Sequence, residues 1–146
     1  MRRSALLLLG AVIAAGVAAC GGGGTTIDVT LSEWLVNAEP ASAETGDVTF
    51  VADNAGGEAH ELVIVKGDDP AALPVDDTGK VVEDELPEGA FIGEIEEFEA
   101  GSTEEATFAL EPGSYILFCN IAEEESDGSF ESHFQEGMVT TFDVTG

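Results

Sequence analysis

Apolar residues along this chain fall into short runs separated by glycine, aspartate and proline. Thr25 to Leu31 sets Ile27, Val29 and Leu31 on one side of an extended segment, the period of two that marks a half-buried strand. Val48 to Val51 follows a turn at Thr45-Gly46-Asp47, and Glu61 to Val65 is apolar after its first residue, so its strand begins at or just before His60. Phe91 to Phe98 puts Phe91 and Ile92 on opposite faces and continues through Ile95; Thr103 to Leu110 alternates again. Pro112-Gly113 turns the chain into Tyr115 to Cys119, and Val139 to Val144 is the last strand. Short strands in this rhythm predict an all-β chain folded as an antiparallel sandwich. No internal repeat and no sustained 3.6-residue period argue for anything else.

Two segments interrupt the rhythm. Gly67 to Gly89 carries Pro70, Pro74 and Pro87 among many acids and is long enough to hold a short helix. Asn120 to Gln135 is acidic, with few apolar residues, and lies between the two strongest C-terminal strands. Connections this long in a compact domain are usually functional or mobile.

The N-terminal segment is expected to stand apart from the fold. Arg2 and Arg3 precede an apolar run from Ala5 to Ala19, too short for a comfortable bilayer span and matching the apolar region of an export signal. Its end, Val17-Ala18-Ala19-Cys20, resembles the lipobox of bacterial lipoproteins. That resemblance implies removal of residues 1–19 as a signal peptide and acylation of Cys20; the alternative is an ordinary secretory signal with a chance cysteine. Acyl chains contribute about 0.8 kcal/mol per buried methylene, so two or three of them hold a soluble domain at a membrane without a spanning helix. Residues 20–25, with Gly21 to Gly24, then form a flexible tether, and residues 26–146 form one domain. The expected location is the extracytoplasmic face of the cell membrane.

Cleavage ahead of Cys20 leaves 127 residues, enough for one core and too few for two. All 30 acidic residues lie in this part against Lys66 and Lys80, a formal charge of −28. Phosphate binding needs basic surface, so nucleic acid is excluded as a partner. The acids read as a solvated or salt-adapted surface that repels itself; a redox protein with a basic face remains compatible, although charge this widespread names no docking face.

Candidate chemistry comes from residue types that are scarce. The exported part contains two histidines, one methionine and, besides Cys20, one cysteine. An unpaired cysteine in an oxidising compartment calls for a reason. A buried structural thiol is one; a metal ligand is the other. Cys119 closes a strand, His133 follows a loop, Met138 stands five residues later against the last strand, and His60 opens a different strand far upstream. Two imidazoles and a thiolate in a plane with a weak axial thioether are the ligand set of a blue-copper centre. Strand parity agrees: Tyr115, Leu117 and Cys119 share a face, Met138 shares one with Thr140, Phe142 and Val144, and His60 shares one with Leu62 and Ile64.

The stretches Asn54 to Ile64, Pro112 to Cys119 and His133 to Met138 resemble the cupredoxin family over about residues 26 to 145. The resemblance implies a Greek-key β-sandwich of seven or eight strands, with one type 1 copper near one end. Its ligand order falls on His60, Cys119, His133 and Met138. It also implies one-electron transfer between redox proteins that the sequence does not identify. One departure stands out: family members place the second histidine a few residues after the cysteine, whereas here thirteen residues, Asn120 to Ser132, intervene, with Gly128 available for the bulge to turn back. Tyr115 is similar to a tyrosine corner, with a plain core or rim role as the alternative. Asn54 is placed to order the turn before His60, Trp34 belongs to core or sheet edge, and most glutamates are solvated. An enzyme is not expected, because cupredoxin-type catalytic centres need further imidazoles and no third histidine exists. A copper carrier or store using the same ligands, and a metal-free binding module, are the competing functions.

Overall fold

The computed structural model of the protein describes residues 23–146. The expected signal peptide, the acylated Cys20 and the start of the tether lie outside the described residues. Among the described residues eleven strands are formed: β1 (Thr25–Ser32), β2 (Leu35–Glu39), β3 (Ser42–Glu44), β4 (Gly46–Asn54), β5 (His60–Lys66), β6 (Phe91–Phe98), β7 (Thr103–Leu110), β8 (Gly113–Phe118), β9 (Ala122–Glu124), β10 (Phe130–Ser132) and β11 (Val139–Thr145). One helical turn, α1 (His133–Glu136), precedes β11.

Two sheets face each other, one ordered β2-β1-β4-β7 and the other β3-β11-β8-β5-β6, while β9 and β10 form a separate hairpin. The chain passes repeatedly from one sheet to the other, which interleaves the strands as a Greek key. All seven expected strands are present. The two sheets hold nine strands, though, because β2 and β3 complete their edges. Their sequences offer little signal: β2 turns only Val36 and Ala38 inward, and β3 only Ala43. The sandwich is also not antiparallel throughout, since β1 runs parallel to β4 and β3 parallel to β11. Each of these pairs joins strands separated by an excursion through the opposite sheet, so no tight hairpin forces opposite directions.

The alternating strands explain the core. Ile27, Val29 and Leu31 of β1 and Val48, Phe50 and Ala52 of β4 face Leu62 and Ile64, Tyr115 and Leu117, and Phe142 and Val144 of the other sheet. Phe50 meets Phe142 edge-on with centroids 5.4 Å apart. Truncating a buried phenylalanine of this kind to alanine costs about 3–5 kcal/mol. The Tyr115 hydroxyl donates to the Glu111 carbonyl at 2.8 Å, closing the β7–β8 connection as a tyrosine corner does.

β5 and β8 are buried on both faces, which is why they read as unbroken apolar runs. Their second face, Val63, Val65, Ile116 and Phe118, packs under Leu73, Val81, Leu86, Phe134 and Val139. The long proline-containing connection between β5 and β6 is therefore a cover for this sheet. Its helical content is two short 3-10 turns, Pro70–Ala72 and Glu83–Glu85. The acidic loop after β8 is likewise ordered, as the β9–β10 hairpin followed by α1.

Candidate metal centre

Three elements deliver three donors to one end of the sandwich. His60 begins β5, and its approach is ordered by Asn54, whose side-chain amide donates to the carbonyls of Glu58 at 2.8 Å and Phe98 at 3.2 Å and whose oxygen accepts from the Gly56 amide at 3.1 Å. Cys119 follows directly on β8. Its sulfur accepts from the Glu61 amide at 3.5 Å, and its own amide donates to the Met138 carbonyl at 3.0 Å. His133 opens α1, which Ser132 caps by accepting from the Gln135 amide at 3.2 Å. Phe134 of α1 stands edge-on to Phe118, 5.4 Å between centroids, anchoring the turn to the covered sheet face.

These placements bring His60, Cys119 and His133 together, all fully buried. The two Nδ1 atoms lie 3.2 Å apart, and Cys119 Sγ is 3.3 Å from Nδ1 of His133 and 4.0 Å from Nδ1 of His60. Bonds of about 2.0–2.3 Å from two imidazole nitrogens and a thiolate to one ion set those donors about 3.2–4 Å apart, depending on the angle between the bonds. The spacing fits one ion. Met138 follows α1 through Gly137, whose φ of +119° provides the left-handed cap that ends the turn. Its amide donates to the His133 carbonyl at 2.9 Å, and its side chain is buried in the same core as Cys119.

Hydrogen bonding supports the same reading. Two facing Nδ1 atoms cannot both be bare, so without an ion one ring must donate to the other. On the outer edges, Nε2 of both rings is buried and without a hydrogen-bond partner. A cation on the two Nδ1 atoms would place a proton on each Nε2 and resolve the conflict. Burial, and then the neighbouring His133, lower the pKa of His60 and favour its neutral, ligating form. Burial pushes the Cys119 thiol up to about 12, so the free thiol is protonated and a metal must displace that proton.

No family model and no curated protein sequence matches the chain. Solved structures do. The structure is similar to auracyanin from the photosynthetic bacterium Roseiflexus castenholzii at 24% identity and TM-score 0.59, over 86% of this chain and 100% of that one. Auracyanin A from Chloroflexus aurantiacus matches at 21% identity and TM-score 0.53, over 84% and 100%. An azurin from Methylomonas sp. strain J matches at 17% and 0.54, over 84% and 98%.

The chain has the cupredoxin fold.

Within that fold, the thirteen residues between Cys119 and His133 leave the site and return to it without displacing either. The hairpin closes at its base, where Ser132 pairs with Ala122 and the His133 amide donates to the Ile121 carbonyl at 2.9 Å. Gly128, at φ +85°, sits in the distal turn. Sequence reasoning missed two residues around this site, and the contact that Trp34 makes there. Glu33 Oε1 lies 3.3 Å from Nε2 of His60, and Glu58 Oε2 lies 3.6 Å from Nε2 of His133. Trp34, in the turn between β1 and β2 and half-buried against the core, stands edge-on to the His133 ring at 5.3 Å. Among 30 acids, nothing in the sequence marks those two glutamates as different.

Proposed function

We propose that this protein is a blue-copper electron carrier in which His60, Cys119 and His133 would hold one type 1 copper, with Met138 as the fourth candidate ligand. The observation that carries the reading is the meeting of two imidazole Nδ1 atoms and one thiol at a single buried point. The similar auracyanin A is described as a "blue" copper protein, which supports the choice of metal. Copper would supply a one-electron couple.

The chain's own residues do the rest. Cys119 offers the soft thiolate and His60 and His133 the borderline nitrogens, a set that suits both oxidation states. The Glu61 amide directed at Cys119 Sγ offsets charge on the sulfur. Full burial of all three donors excludes water, and their attachment to paired strands and a capped turn limits rearrangement when the charge changes. Met138 is the tuner: Met138→Gln should keep the visible colour and lower the reduction potential, because a harder amide oxygen favours Cu(II).

Acylation of Cys20 would hold this carrier at the extracytoplasmic face of the membrane, on the strength of the Val17-Ala18-Ala19-Cys20 sequence and the glycines after it. Cys20→Ala should leave the precursor uncleaved and without lipid; normal processing of that variant would remove the anchor from the account. The partner is a redox protein, and the charge of this chain favours one with a basic face. Repeated voltammetric cycling of the copper-loaded protein tests the function. An electron carrier keeps one copper per chain through many cycles; loss of copper on each reduction, with transfer to a Cu(I) chelator, would mark a metal carrier instead.

A further inference from the structure

We propose that Glu33 and Glu58 are positioning residues for the copper ligands, Glu33 accepting a hydrogen bond from Nε2–H of His60 and Glu58 from Nε2–H of His133, and that together they bias the bound copper toward its oxidised state. The proposal rests on the copper reading above.

The donors facing the metal position are both Nδ1 atoms. A neutral imidazole with a metal on Nδ1 carries its proton on Nε2. That proton needs an acceptor, since both rings are fully buried and both Nε2 atoms lack a hydrogen-bond partner. One carboxylate stands opposite each: Glu33 Oε1 at 3.3 Å and Glu58 Oε2 at 3.6 Å. Glu58 Oε2 is itself buried and without a partner. Metallation of both rings on Nδ1 would put a proton on each Nε2, and closing the 3.3 Å and 3.6 Å gaps by a few tenths of an ångström would then pair all three of these buried polar atoms.

The surroundings hold this arrangement open. Glu33 Oε1 accepts from the amides of Gly57 at 2.9 Å and Glu58 at 3.0 Å, so one turn fixes the first carboxylate and carries the second. Gly56 lines the gap: a Cβ there would lie 2.5 Å from Glu33 Oε1 and 2.8 Å from His60 Nε2. Only glycine leaves room for the carboxylate to reach the ring. The charge consequence follows directly. Copper with its thiolate carries one net positive charge when oxidised and none when reduced, so two carboxylates beyond the imidazoles stabilise the oxidised form more. Carboxylates in this outer position also raise ligand basicity, and their loss typically weakens metal binding about 10–100-fold.

The test compares wild type, Glu33→Gln, Glu58→Gln and a control, Glu44→Gln, which removes a charge on β3 beside Thr145 at the far end of β11 from Met138. Copper affinity is measured in both oxidation states together with the reduction potential. Each site variant should weaken Cu(II) binding about tenfold and leave Cu(I) binding within about twofold, raising the potential by about 59 mV per tenfold change. The control should leave both unchanged. In the diamagnetic Cu(I) protein, nitrogen-resolved proton spectra should show two slowly exchanging Nε2–H signals, each sensitive to its own glutamate. Glu58→Gln keeps the test decisive even if Glu33→Gln fails to fold, because Glu58 Oε2 makes no hydrogen bond on which folding depends. A wild type that loads copper while both variants keep their affinities within twofold, and their potential therefore within about 18 mV, overturns the proposal alone. So does a control that moves the potential as far as Glu58→Gln. A wild type that takes up no copper overturns the copper reading and this proposal with it.

Discussion

The two imidazoles reach the same point by unlike routes. His60 belongs to β5, an interior strand paired on both sides and buried on both faces. His133 opens a single helical turn behind an exposed acidic hairpin. Both end fully buried, with Nδ1 directed at the thiol. A ligand's rigidity is therefore set by where its segment is closed, not by how much chain lies in between. For His133 the closure is the base of the hairpin. Ser132 donates to the Gly79 carbonyl at 2.7 Å, caps α1 and pairs with Ala122, while backbone bonds tie His133 to Ile121 and Met138 to His133. The same physics permits long surface insertions generally, because loop-closure entropy grows only slowly with length.

The strand side should be the more sensitive to steric change. Gly56→Ala places a methyl against both His60 and Glu33, and overpacking of this kind costs about 1–3 kcal/mol. Denaturant midpoints should fall accordingly, and copper retention should fall with them; unchanged values would mean the turn relaxes freely and the strand side is not the stiffer one.

Next in size is a pH dependence that also belongs to the strand side. Burial, and then the charge of Glu94, raise the Glu61 carboxyl from its usual value to about 7. The folded, metal-free protein then holds that proton more tightly than the unfolded chain. The contribution is fully present below about pH 4.5 and is lost as pH rises through about 7. Partial exposure reduces the effect to about 1–2 kcal/mol. Glu61→Gln should flatten this part of the stability profile; a slope equal to that of wild type would assign it to the general acidic surface.

On the helical side, Ser132→Ala removes the α1 cap and the bond to Gly79 and should cost about 1 kcal/mol. Copper should leave faster without a change in the number bound. The smallest effect is expected at the hairpin tip. Replacing Glu125–Ser129 by a two-residue turn should alter stability by less than about 0.5 kcal/mol and leave the visible spectrum unchanged. A large spectral change there would show that the insertion shapes the site after all.

Much of this was legible in the residues because the informative ones are scarce or periodic. β1, β4 and β7 alternate, and β5 and β8 stand out as apolar runs. The parity of Tyr115, Leu117 and Cys119 correctly turned the thiol inward. What was not legible is weakly patterned. β2 and β3 bury only three side chains between them, with the exposed Leu35 blurring the alternation of β2, and β9 and β10 are short and charged. Burial on both faces of β5 and β8 depends on a cover supplied by residues 67–90, whose prolines and acids look like an open loop. Glu33 and Glu58 acquire their position only through the turns that hold them, and no local spacing links them to His60 and His133.

The central claim is that Cys119, His60 and His133 hold one copper as a blue centre. Titrating the purified protein with Cu(II) while recording copper content and the visible spectrum tests it most directly. The account predicts one copper per chain and an intense thiolate-to-copper band that disappears in Cys119→Ser even where some copper remains bound. A wild type that binds no stoichiometric copper, or a Cys119→Ser protein that keeps the full band, would contradict it.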